Sequence, residues 1–458
     1  MMCYKYTFFM KIVYGQNACF FPNAVLFSLF CRFPPCFPAI SQPASPAPFA
    51  SSRQRRIDPA AKHDIIIPYG FSSDYFFTDS EYQGGLSVQN KSENHTMRVF
   101  YLLAIVFVVD GHTTNGHLFE MNGLFRYYAF HLMMFAFGSG YFFKLYGGAC
   151  SDLAHRAKKL LVPLYLWNAV YGVGAALLRR FGGFELGAPL SPYTLLLAPI
   201  TDGEHFVWNL GAWFIFPLFC AQVAYALIRR LSRLWHENEA MTFLLCLIPG
   251  CAAVQLCFAG RQAALPLWLL RPMILLPGLA GGQLYRRVLE KRDSLPTVPY
   301  LLCIVVLRVL LSTRYESLAY LLSNCSYFGC GAFGVYAGAA LAIAFYLRIS
   351  RLLAPHIVKS RFALAISRNT FDIMMHHFMG FFALDCFFLA LNALGLGAAD
   401  FSVRAFRTVA NYMYAPNGRS EWNALYLLCG LALPLGIAQC LGWVKAALGR
   451  AVFRRSAP

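Results

Sequence analysis

Charge is scarce in this chain of 458 residues. Only 13% of them are Asp, Glu, Lys or Arg, where soluble domains carry about 25%. Hydrophobic residues make up 58%, and the mean hydropathy is +0.50. This composition points to a polytopic membrane protein, with a large soluble core as the poor alternative. Cys-x-x-Cys pairs are absent among the 15 cysteines, and no cluster has metal-ligand spacing, so a zinc or redox module is not expected. Cys150, Cys220, Cys246, Cys251, Cys257, Cys303 and Cys386 lie in or beside apolar runs and read as small hydrophobes. There is no internal repeat, which argues against an inverted-repeat transporter. No loop is long enough for a separate folded domain. The net charge of +18 would suit nucleic acid in a soluble protein. Here Lys and Arg fall in short clusters between apolar runs, as membrane topology demands, so nucleic acid is not an expected partner.

What the chain does contain is a series of long apolar runs. Ten are recognisable: Arg98–Asn115, Leu124–Phe143, Leu160–Ala176, Trp208–Ile228, Met241–Ala259, Ala264–Tyr285, Val298–Leu311, Tyr327–Leu347, Thr370–Ala393 and Asn423–Ala446. Hydrocarbon leaves backbone groups no partner but their own helix. The expected fold is an all-α, polytopic transmembrane bundle of about ten spans. One set of alternate loops carries dense basic clusters: Lys144 to Lys159, Arg229 to Arg233, Arg286 to Arg292, Arg348 to Arg368, and Lys445 to Arg455. The other set carries sparser arginines such as Arg126, Arg261 and Arg314. The basic set belongs to the cytoplasm, which puts both termini there and agrees with an even number of spans. The outer loops Arg179–Val207 and Leu394–Trp422 are long enough to roof a cavity.

Residues 1–96 differ in character from the rest of the chain. They hold Pro-rich pieces, and their apolar run Cys19–Cys31 is short and broken by Pro22. Met97 stands directly before the first good span. The expectation is that residues 1–96 are disordered or not translated, and that residues 97–458 form the membrane domain.

Two adjacent runs each carry a histidine, and an ionisable group inside a membrane is a functional hypothesis by default. His112 is fourteen residues beyond Arg98, roughly 21 Å at ~1.5 Å per residue. That leaves it about 9 Å below the outer edge of a ~30 Å core. His131 starts from the other side and lies about 10 Å below the same edge. The two imidazoles are thus expected at one depth on neighbouring helices. A neutral imidazole accepts a hydroxyl proton near neutral pH. Asp110 and Asn115 lie within a turn of His112 and are placed to orient or polarise it. Arg98, and Arg156 and Lys159 further on, are candidates to hold an anionic group at the cytoplasmic mouth. His377, about 13 Å along its run from Arg368, is expected near mid-membrane. The alternative for each histidine is a structural hydrogen bond between helices.

Four pieces of the sequence resemble the membrane-bound acyltransferase-3 family, nearest to its fucose 4-O-acetylase-like and polysaccharide O-acetyltransferase branch. They are Leu103 to His112; Phe130–His131–Leu132 through Ser139–Gly140–Tyr141–Phe142; Arg156 to Asn168 with Trp213–Phe214 following; and Asn369–Thr370 through His376–His377. They occur in the family's order across nearly all of residues 97–458. The resemblance implies transfer of an acyl group, usually acetyl, from cytoplasmic acyl-CoA to a hydroxyl of a cell-surface glycan or lipid-linked sugar. The protein would act in the plasma (inner) membrane, with lipid around it and without a metal. His112 would be catalytic, His131 would match the second-helix histidine, and Trp213 and His377 would line the site. One departure stands out. The family often has Arg eleven residues before the catalytic His, and here that position is Tyr101; Arg98, one turn earlier, would substitute. The competing readings are a secondary transporter or flippase for a glycolipid or glycan precursor, with the histidines as a proton relay, and a non-catalytic scaffold for glycan assembly.

Overall fold

The structure is a computed structural model describing residues 94–114, 116–121, 124–235 and 238–455. The expectation for residues 1–96 therefore falls almost wholly outside the described residues, and so does Asn115.

All regular elements among the described residues are helical. The main ones are α1 His95–Gly111, α2 His131–Tyr141, α3 Ala149–Gly182, α4 Ile215–Ser232, α5 Glu239–Phe258, α6 Leu267–Leu284, α7 Thr297–Arg314, α8 Gly331–Ile357, α9 Arg361–Arg368, α10 Thr370–Ala393 and α11 Asn423–Arg455. A 3-10 segment, Val207–Phe214, leads into α4 and has a non-helical residue at Asn209. Seven helices among the described residues are long and apolar enough to cross a membrane: Ala149–Gly182, Val207–Ser232, Glu239–Phe258, Thr297–Arg314, Gly331–Ile357, Thr370–Ala393 and Ser420–Val444. This is a multi-pass membrane protein.

Helices stand at all ten expected positions, but three differ from full apolar spans. α6 carries Arg271, Gln283 and two internal prolines. α1 has 17 residues and stops at Gly111, four residues short of the expected end. The expected second span, 124–143, contracts to the 11 residues of α2. The reason is local. The Tyr127 hydroxyl donates to Asp110 at 2.6 Å, its N–H donates to Glu120 at 2.9 Å, and Phe130 breaks the helix with φ −155° and ψ −24°.

α1 is the hub of the bundle. It packs against α2, α8, α9, α10 and α11, and it is buried on nearly every side, as a helix apolar all round must be. Asn94 caps it by accepting the Met97 N–H at 3.0 Å. α2 lies backbone to backbone on α6. A Cβ at Gly140 would overlap the Leu279 carbonyl, and one at Gly282 would overlap the Phe137 carbonyl. Small residues let helices approach closely where apolar contact gives no advantage over lipid. α10 packs against α1, α11 and the Val207–Phe214 segment. These contacts bring the ends of α1 and α2 together with the first half of α10.

Candidate functional site

His112 is the residue that terminates α1. Its own N–H turns back to the Val109 carbonyl at 3.2 Å, so the side chain projects from a helix end rather than from a helix wall. Its Nδ1 lies 2.7 Å from the Val108 carbonyl. A carbonyl can only accept, so Nδ1 carries the proton and Nε2 of the neutral ring presents a lone pair. The ring is half-buried. Against it stand His377, with centroids 5.0 Å apart, and Phe378, also at 5.0 Å.

His377 repeats the pattern. Its Nδ1 donates to the Ile373 carbonyl at 2.9 Å and the Met374 carbonyl at 3.1 Å. Its Nε2 is buried with no hydrogen-bond partner among the described residues. His131 opens α2, and its Nδ1 donates to the Tyr127 carbonyl at 2.5 Å. The Tyr128 ring packs on His131 at 5.3 Å and donates its hydroxyl to Gly111 at 2.9 Å, one residue before His112. His131 is within electrostatic reach of His112. Three imidazoles thus carry the same tautomer, each locked by a backbone carbonyl. The ring in contact with His112 is that of His377, where the expectation had paired His112 with His131.

Among the described residues, the Asp110 carboxylate makes no hydrogen bond to His112. It accepts the Leu118 and Phe119 N–H groups, both at 3.0 Å, and the Tyr127 hydroxyl. It is fully buried and spends its acceptor capacity folding the loop after His112 back onto α1. Arg156, expected among the residues at the cytoplasmic mouth, is engaged within the protein. Its guanidinium donates to Asp152 at 3.0 and 3.2 Å, to Gln222 at 3.1 Å and to the Lys144 carbonyl at 2.7 Å. A buried cation has to be satisfied this way, and little of it is left for a ligand. Lys159 is half-buried, with its ammonium 5.9 Å above the Tyr146 ring. Arg98 and Tyr101 are both buried in the first turns of α1, and the Tyr101 ring fills the space over Gly138. Trp213 is half-buried beneath the Arg271 guanidinium, 5.4 Å from its ring.

A second polar group adjoins His377 and was not anticipated. Asn168 on α3 accepts from His205 Nδ1 at 3.2 Å and from Asn209 at 3.3 Å, and donates to the Leu195 carbonyl at 2.9 Å. One turn along the same face, the Tyr171 hydroxyl bonds His376 Nδ1 at 2.8 Å. The signal was present in the sequence, since Asn168 interrupts an otherwise apolar run.

The loop after His112 is held by later parts of the chain. Asn423 donates to the Gly116 carbonyl at 2.7 Å, and the Thr114 N–H points at Met413 sulfur at 3.4 Å. The segment following α10 therefore ties down the loop that begins at His112.

A family model described as an acyltransferase domain matches residues 99–443. The chain belongs to the acyltransferase-3 family. No curated protein and no solved structure matches it. The match opens one residue after Arg98 and closes inside α11. The paired histidines, the Asn168 group and Arg271 of this acyltransferase all lie within it.

Proposed function

We propose that this protein is an O-acyltransferase of the plasma membrane. In this reading it moves an acyl group, acetyl in the first instance, from cytoplasmic acyl-CoA to a hydroxyl of a cell-surface glycan or lipid-linked sugar. The observation that carries the reading is the locked tautomer of His112: a half-buried imidazole with a basic nitrogen at a helix end, beside a second imidazole of the same tautomer. The asymmetry of basic loops supports a reading in which both termini and the donor mouth face the cytoplasm. CoA is anionic, so its phosphates are favoured there, and Lys159 and Arg98 are our candidates to meet them.

His112 Nε2 takes the proton of the acceptor hydroxyl as that oxygen attacks the thioester carbonyl. The C–S bond then breaks, and the proton passes to the leaving thiolate, giving an ester and free CoA. A general base supplies about 10²–10⁴-fold, and positioning two reactants in one site supplies the larger share. His377 and His131 hold the base and the acceptor in place; neither needs to change protonation.

The test uses purified protein in lipid nanodiscs with isotope-labelled acetyl-CoA. Label entering the glycan, lost by at least 100-fold in His112→Ala, supports the reading. Full transfer by His112→Ala removes His112 as the base. Acetyl-CoA left untouched by the wild type, alongside movement of a glycolipid, makes the protein a flippase instead.

A further inference from the structure

We propose that Asn168, His205, Asn209 and His377 form a binding subsite for a neutral, hydroxyl-rich ligand, the sugar ring of the acyl acceptor. The proposal rests on the acyltransferase reading and names the class of molecule its acceptor side selects.

The argument begins with which atoms lack partners. His205 Nε2, Asn209 Oδ1 and His377 Nε2 are buried and have no hydrogen bond among the described residues. His205 is 5% exposed, and Asn209 and His377 are fully buried. Their other polar atoms are engaged in a way that settles the chemistry of the unpaired ones. His205 Nδ1 faces the Asn168 oxygen, and Asn209 Nδ2 faces the same oxygen. Asn168 Nδ2 faces a carbonyl, which fixes that oxygen as the acceptor. His205 and His377 therefore both offer an Nε2 lone pair, and Asn209 offers its carbonyl oxygen. All three are hydrogen-bond acceptors.

Three acceptors require a ligand that donates. A phosphate or carboxylate would meet lone pair with lone pair. An ammonium group would donate, but the buried Arg271 guanidinium lies within electrostatic reach of His205 and disfavours a second cation. Sugar hydroxyls donate without charge. Continuity with the base is also in place. A Cβ at Gly211, two residues from Asn209, would run into the His377 ring, and His377 stands 5.0 Å from His112. A ring whose hydroxyls donate to Asn209 and His377 can thus offer a neighbouring hydroxyl to His112. The backbone at Asn209 is already non-helical, φ −128° and ψ 29°, so its amide can turn toward a ligand without unwinding a helix.

The experiment uses full-length protein in nanodiscs, labelled acetyl-CoA, and as acceptor probe the cell-envelope glycan stripped of O-acetyl groups by mild base and titrated by hexose content. Asn209→Ala and His205→Ala are expected to raise half-saturation by the glycan tenfold or more. Turnover at saturation stays within threefold, and half-saturation by acetyl-CoA is unchanged. His205→Gln keeps an amide donor for Asn168 and an acceptor oxygen, and is expected to return to within threefold of wild type. On the wild type, neutral methyl glycosides are expected to compete with the glycan, while sugar phosphates and glucosamine do not. Unchanged glycan half-saturation in both alanine variants, equal loss of donor affinity, or competition by sugar phosphates overturns the subsite. That competition experiment decides the matter if the variants do not fold. A wild type that moves no label into glycan overturns the acyltransferase reading itself, a different result from normal transfer with an unaltered acceptor dependence.

Discussion

Gly211→Ala is the sharpest probe of how α10 is held against the Val207–Phe214 segment. A Cβ at Gly211 would sit 2.7 Å from the Met374 carbonyl and inside the His377 ring. Neither obstacle gives way easily, since one is backbone and the other is a ring whose Nδ1 bonds two carbonyls. The segment and α10 must then separate, or His377 must leave its place beside His112. Overpacking of this kind costs about 1–3 kcal/mol. Where His377 moves by about 1 Å, misplacement near the reacting atoms costs on the order of 100-fold in rate. Gly174, on α3, is the control, because a Cβ there meets nothing within 4 Å. Gly174→Ala sits in a helix interior and is expected to be neutral or to stabilise by about 0.5–1 kcal/mol. The assay pairs thermal unfolding in detergent, followed by size-exclusion fluorescence, with labelled acetyl transfer in nanodiscs. A Gly211→Ala protein that melts and turns over within twofold of wild type would refute the claim that these two elements touch through the glycine.

Three further outcomes are expected. Asp110→Ala removes the acceptor of two backbone N–H groups and one hydroxyl, each bond to a buried charge being worth about 1.5–3 kcal/mol. It should destabilise the protein and expose the loop after His112 to protease, and Asp110→Asn should recover part of the loss; protease resistance equal to wild type in Asp110→Ala would contradict this. Among the described residues, Arg156→Ala leaves Asp152 with only the Tyr146 N–H at 3.0 Å and Arg230 at 4.0 Å, so the cost should fall at or below the low end of the about 3–5 kcal/mol typical of breaking a buried pair. The loss should appear as lower stability and yield, not as a selective rise in acetyl-CoA half-saturation, and kinetics on whatever folds will distinguish the two. Gly140→Ala pushes a methyl into the Leu279 carbonyl and should block close packing of α2 on α6, read as loss of a monodisperse peak in size exclusion.

The membrane class and the helical fold followed from composition alone. Low charge and long apolar runs leave the backbone no solvent but itself, and helices stand at every expected position from His95 onward. That His112, His131 and His377 are out of place in apolar runs was also visible, because an ionisable group there is expensive wherever it points. What each one touches was not visible. Apolar periodicity carried the second span back to Leu124, and only the anchoring of Tyr127 by Asp110 shows why the helix waits until His131. Asp110 is within a turn of His112 in sequence, yet its carboxylate turns toward Leu118 and Phe119. The i,i+4 partner of Arg156, Asp152, was legible in the sequence, whereas Gln222 and the Lys144 carbonyl reach it only through the tertiary fold.

The sequence by itself determined where the chain enters apolar surroundings and which residues are out of place there, since both depend on the transfer free energy of each side chain taken singly. Tertiary structure alone decided that His377 faces His112 across two helices, that Asn168 gathers His205 and Asn209, and that Asp110 and Arg156 are committed to holding loops. The His112–His377 contact and the Asn168–His205 bond join residues 265 and 37 positions apart. They exist only because glycines such as Gly211 and Gly140 let particular backbones come close enough for particular polar groups to meet.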